Sequence, residues 1–117
     1  MRVAGTTAIL VVDDDRDLRD TVAAVLEGEG YPVCCAENGA QALAVMHHMK
    51  PGAILLDLSM PVMNGWELLE ALRFDNTLAA IPVVVLSALR APQGVAHLGK
   101  PVSLDDLVTT IDRMCRR

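Results

Sequence analysis

Aromatic side chains are nearly absent from this sequence, which has one Trp, one Tyr and one Phe in 117 residues. Just over half the chain is apolar, so a core can form, but it must be aliphatic: Val, Leu, Ile, Ala and Met. Long apolar runs are missing as well. None could span a bilayer, and the N-terminal TAILVV stops at aspartates instead of continuing as a secretory h-region. The chain is therefore expected to be cytoplasmic, with no membrane insertion. Cysteine is scarce and badly spaced for cross-linking. Cys34, Cys35 and Cys115 are an odd set with an adjacent pair and no CxxC, a poor disulfide framework and a poor zinc site. They read as buried thiols. Basic charge is also short: 10 Lys and Arg face 15 Asp and Glu, for a net charge of −5. Nucleic-acid binding needs a basic face to release counterions, so no direct contact with nucleic acid is expected. Arg113, Arg116 and Arg117 read as a solvated helix end. His47 and His48, as helix neighbours, diverge around the axis and read as surface residues. With no repeat, linker or low-complexity segment, one compact domain over 1–117 is expected.

What the sequence does have is alternation. The β-branched run Ala8–Val12 precedes a helical pattern from Arg16 to Glu27, with Leu18, Val22, Val25 and Leu26 on one face and Gly28 to stop it. Tyr31–Ala36 reads as a strand. Asn38 and Gln41 resemble a capping box opening a helix through Met49, before Pro51-Gly52. Ala53–Leu56 is the next apolar run. Asn64 and Glu67 start a helix whose inner face is Leu68, Leu69 and Leu72. Pro82–Leu86 and the weaker Val95–Leu98 follow. Ser103 and Asp106 cap a last helix with Leu104, Leu107, Val108 and Ile111 inward. Strand and helix in turn, with strands that are unbroken apolar runs, predict an α/β fold: a doubly wound five-stranded parallel sheet with helices on both faces.

The polar residues fall at the strand ends. The first strand ends in Asp13 and Asp14, the third in Asp57 and the fourth in Ser87, and the fifth leads through Gly99 to Lys100. In a parallel sheet these ends share one edge, the ligand-binding edge of open α/β folds. Three carboxylates, a hydroxyl and an ammonium are thus expected in one shallow cleft. Clustered carboxylate oxygens without soft ligands suit Mg2+, commonly completed by water and phosphate. Lys100 adds a point charge, Ser87 can donate to a phosphoryl oxygen, and an aspartate can carry an acyl phosphate.

On VVDDD (11–15), DLSMPVMNG (57–65), Ser87 and Lys100-Pro101, the whole chain resembles a response-regulator receiver domain of two-component signalling. The resemblance implies the flavodoxin-like strand order 2-1-3-4-5. It makes Asp57 the phosphoacceptor, and Asp14 a direct Mg2+ ligand supported by Asp13. Asp57 and the backbone carbonyl of Ser59 complete the metal set. Lys100 pairs with Asp57 and then with the phosphoryl group, Ser87 is the hydroxyl switch, and the Lys100-Pro101 bond is cis. Asp15 is left as a helix-capping acid. The donor would be a phosphohistidine of a sensor histidine kinase or a histidine phosphotransfer protein. Phosphorylation would then alter protein–protein contacts, and the chain would be no enzyme beyond its own phosphorylation and dephosphorylation. With the last helix ending at Arg117, no output domain is expected to follow, so the chain either acts alone or belongs to something longer.

Two features depart from that pattern. Pro92 and Gly94 lie in the short stretch SALRAPQGVAHLGKP, so the fourth helix, between the Ser87 and Lys100 strands, is expected to be reduced or missing. His97 stands where the family usually has an orientation-changing Tyr or Phe. It reads as a switch-position residue that is more simply a tolerated polar one. A near match to a P-loop, Gly94 to Pro101, fails because Pro101 occupies the metal-binding Ser/Thr position. Two other functions fit parts of the pattern. A haloacid-dehalogenase-type phosphatase would use Asp13 and Asp15 but leaves Asp57 and MPVMNG unexplained. A phosphate-independent pseudo-receiver would account for the missing helix but not for the acidic site.

Overall fold

The computed structural model describes residues 8–58, 60, 62–88 and 95–115. Its elements run β1 (Ile9–Val12), α1 (Arg16–Gly28), β2 (Val33–Ala36), α2 (Gly39–Met46), β3 (Ala53–Asp57) and α3 (Gly65–Arg73). A 3-10 turn (Leu78–Ala80), β4 (Val83–Ser87), β5 (Ala96–Gly99) and α4 (Leu104–Cys115) follow. The strands form one parallel sheet in the order β2-β1-β3-β4-β5. The expected doubly wound sheet and its order are observed. Residues 89–94, where the shortened helix between β4 and β5 was expected, lie outside the described residues, as do Arg116 and Arg117.

The pleat divides each strand between two cores. Ile9 and Val11, Ala53 and Leu55, and Val84 and Leu86 meet Val22 and Leu26 of α1 and Leu107 and Ile111 of α4. Leu10, Val12, Ile54 and Leu56 meet Ala42 and Met46 of α2 and Leu68 and Leu72 of α3. A strand buried on both faces must be apolar at every position, which is why the central strands read as unbroken runs. The single tyrosine closes the first core from its rim. Tyr31 is fully buried, and its hydroxyl donates to Asp112 Oδ1 at 2.5 Å, tying the approach to β2 to α4.

Helix starts agree with local side-chain chemistry. Asp15, Asn38 and Asn64 each accept a backbone N–H three residues on, and Asn64 with Glu67 forms a complete capping box. The Ser103 hydroxyl accepts from Asp106 N–H. Three expectations need correction. Helix α2 stops at Met46, not Met49, in a tightened last turn: His47 N–H is shared between Leu43 and Ala44, and His48 N–H bonds three residues back to Val45. Leu104 opens α4 at the rim and is exposed instead of facing inward. The cysteines are not buried thiols: Cys35 is exposed on edge strand β2, and Cys34 and Cys115 are half-buried.

Tyr31→Phe keeps the ring and removes one bond to a carboxylate. It is expected to lower stability by about 1–2 kcal/mol in urea unfolding, with the fold unchanged by circular dichroism.

Candidate functional site

Sheet order dictates where the site forms. The chain leaves β1 for β2 on one side and returns past β1 to β3 on the other, so a crevice opens beyond the carboxyl ends of β1 and β3. Val12 is in register with Leu56, which sets Asp13 beside Asp57 one residue further on. Asp57 pairs with Leu86, and Ser87 pairs with Gly99, bringing Ser87 and Lys100 to the same edge.

The side chains converge as the strand ends predict. Carboxylate oxygens of Asp13, Asp14 and Asp57 lie within 4.8 Å of one another. Asp13 is 1% exposed and Asp57 5%, whereas Asp14 faces solvent. Lys100 Nζ lies 3.1 Å from Asp13 Oδ2 and 3.3 Å from Asp57 Oδ1. Ser87 is buried at 8% exposure, and the Lys100-Pro101 bond is cis. Asp15 caps α1 through Leu18 N–H, so its carboxylate has the local role expected of it. Ser59 lies outside the described residues. Three carboxylates against one ammonium leave an excess of negative charge open to water at Asp14. That is a donor set of hard oxygens that could hold a divalent cation.

Lys100 answers the charge problem of the two buried acids. Burial works against its charged form, but the hydrogen bond and charge of Asp13, reinforced by Asp57, outweigh it and hold the ammonium pKa above the ordinary lysine value.

Other contacts had no signal in the sequence. Asp13 Oδ1 accepts from Asp15 N–H at 2.9 Å, and the Asp13 carbonyl accepts from Arg19 Nη1 at 2.7 Å. Gly65 approaches β3 so closely that a Cβ there would lie 2.4 Å from the Asp57 carbonyl oxygen. Only glycine permits that approach, and Gly65 N–H donates to Leu58 O nearby. Gly39 N–H donates to the Met63 carbonyl, pinning the loop after Asp57 to the start of α2. Val62 in that loop is 81% exposed with φ 69°, a left-handed conformation costly for a β-branched residue. His97, expected to be a bystander or switch residue, places Nε2 3.1 Å from the Ser87 carbonyl oxygen.

A parallel sheet of this order, with an acid triad and a lysine at its carboxyl edge, defines a doubly wound fold whose acidic cluster could hold a metal ion. The sequence matches the response regulator receiver domain over residues 9–112, and the chain belongs to that family. It is 39% identical over 100 residues to the DNA-binding response regulator MtrA of Mycolicibacterium smegmatis, covering 86% of this chain and 42% of that one. The chain thus spans less than half the length of that relative. Its structure resembles chemotaxis response regulator CheY4 of Vibrio cholerae, with a TM-score of 0.85 and 30% identity over 93% of this chain and 98% of that one. It also resembles the receiver domain of a signal transduction histidine kinase from Syntrophus aciditrophicus, with a TM-score of 0.87 and 27% identity over 94% and 90% of the two chains. Among the described residues no helix is long and apolar enough to cross a membrane.

A lysine whose pKa is raised by folding adds stability that is fully present below its unfolded pKa and is lost as pH rises through the folded value. The stability gap between wild type and Lys100→Met is therefore expected to hold steady from about pH 7 to 9 and to narrow above about pH 10.4. Urea unfolding across that range measures it.

Proposed function

We propose that this receiver domain is a phosphorylation-dependent signalling switch in which Asp57 accepts a phosphoryl group from a phosphohistidine. The donor is a sensor histidine kinase or a histidine phosphotransfer protein, and the phosphorylated form alters protein–protein contacts. One observation carries the reading: a buried carboxylate at the sheet's topological switch, held by an ammonium and flanked by two further carboxylates.

In this reading an Asp57 carboxylate oxygen bonds to phosphorus while the phosphorus–nitrogen bond of the donor breaks and its electron pair leaves with the imidazole. Asp13, Asp14, Asp57 and the Ser59 carbonyl would hold Mg2+. When bound, that ion offsets the negative charge of the carboxylates and the incoming phosphoryl oxygens. Lys100 is already on Asp57 and adds a second positive charge beside the transferred group. Ser87 donates its hydroxyl to a phosphoryl oxygen. The phosphate's roughly −1.5 to −2 charge then draws Ser87 and the end of β4 toward Asp57. Residues 1–117 form one domain of this switch, which works in the cytoplasm and does not itself touch nucleic acid.

Incubation with acetyl phosphate followed by intact-mass spectrometry tests this. The wild type is expected to gain one phosphoryl group that requires Mg2+ and is absent in Asp57→Asn. No adduct while Mg2+ binds and hydrolysis is trapped would favour a phosphate-independent interaction module. In a second experiment, Asp14→Asn relieves like-charge repulsion. The metal-free variant is expected to be more stable than wild type by up to about 1 kcal/mol and to lose most of the rise in melting temperature that Mg2+ gives the wild type.

A further inference from the structure

His97 is in register with Val85, and its imidazole reaches along the sheet to the next residue of β4 on that face. Nε2 lies 3.1 Å from the Ser87 carbonyl oxygen. A carbonyl only accepts, so Nε2 carries the proton, as the neutral Nε2–H tautomer or as imidazolium. The same oxygen accepts Lys100 N–H at 3.2 Å. Ser87 ends β4, and that bond to Lys100 is the last of the β4–β5 ladder. Gly99, its partner in register, has no side chain, and a Cβ there would meet nothing within 4 Å. The imidazole therefore supplies a side-chain hold at a position where the opposite residue can supply none.

We propose that His97 is a positioning residue for phosphoryl transfer. By fixing the Ser87 carbonyl it sets the direction of the Ser87 hydroxyl. Through the shared oxygen it keeps the backbone of Lys100 in the register that delivers the ammonium to Asp57. The proposal rests on the reading of Asp57 as acceptor. Its own signature is a donor at one point in space, which a glutamine can imitate, because the Gln carboxamide nitrogen is as many bonds from Cα as Nε2 is. A phenyl ring fills similar space and donates nothing.

The test compares wild type, His97→Gln, His97→Phe and His97→Ala in the full chain. Phosphorylation by acetyl phosphate with Mg2+ is timed by intact mass, and exchange of the Lys100 amide is followed by NMR. His97→Phe and His97→Ala are expected to react roughly two- to tenfold more slowly, the range one neutral hydrogen bond spans. Their Lys100 amide should exchange faster, with Mg2+ affinity unchanged, and His97→Gln should match wild type in both readouts. Wild-type rates in Phe and Ala would overturn the proposal, as would a Gln variant as slow as they are. If wild type itself takes no phosphoryl group, the reading of Asp57 fails separately, and the exchange data alone decide whether His97 holds Ser87 and Lys100. If His97→Ala does not fold, the Phe and Gln pair gives the same contrast.

Discussion

Two nearly buried carboxylates share one ammonium at the end of this sheet: Lys100 lies 3.1 Å from Asp13 and 3.3 Å from Asp57. Removing the cation from such an arrangement would leave charges that a protein interior tolerates poorly, on the order of 3–5 kcal/mol for a buried pair that loses one member. The rest of the architecture keeps the three groups together. Parallel pairing aligns the strand ends, the crossover between β1 and β3 opens the crevice, and the aliphatic cores on both faces make the register rigid. A one-residue slip of β3 would turn Asp57 toward a helix and Leu56 toward the site, so packing and charge placement are one constraint.

The supports around that centre are mostly backbone. Arg19 holds the Asp13 carbonyl, Gly65 lets the start of α3 press against β3, and Gly39 anchors the loop after Asp57 through Met63. None of these uses the acidic side chains, whose carboxylate oxygens are gathered instead around Lys100 and one another. That loop is thus tied at Met63 and Gly65 yet carries an exposed valine in a left-handed conformation between those ties and Asp57. Strain of this kind persists where the surroundings over-determine the backbone.

Much of this was legible in the sequence because it is written locally. Apolar runs ending in Asp, Ser or Lys marked both the strands and the edge where they end, and Asn64 with Glu67 announced α3 through a box formed within four residues. What escaped depends on registers set by the whole sheet. Nothing in the order of residues says that His97 lies opposite Val85 with its ring on the Ser87 carbonyl, or that Arg19 reaches back to Asp13. Edge effects were equally hidden. Cys35 is exposed because β2 closes the sheet, and Leu104 is exposed because it begins α4 at the rim, although both fit inward patterns in the sequence. The early end of α2 followed from a tightened last turn, in which His48 N–H bonds three residues back to Val45, a choice that the apolar pattern up to Met49 does not record.

The site's cation stands late in the chain, and that matters for biosynthesis. The ribosome makes Asp13 and Asp57 before Lys100, and the two central strands that carry them are adjacent in the sheet. A nascent chain that paired β1 with β3 would bring two carboxylates together before the ammonium that bridges them exists, with Arg19 engaged on the Asp13 carbonyl, so early docking at that edge is opposed by its own charge. The ammonium that bridges Asp13 and Asp57 reaches the carboxyl edge only after β5 has left the exit tunnel, so the centre of the site is completed by the last strand of the sheet.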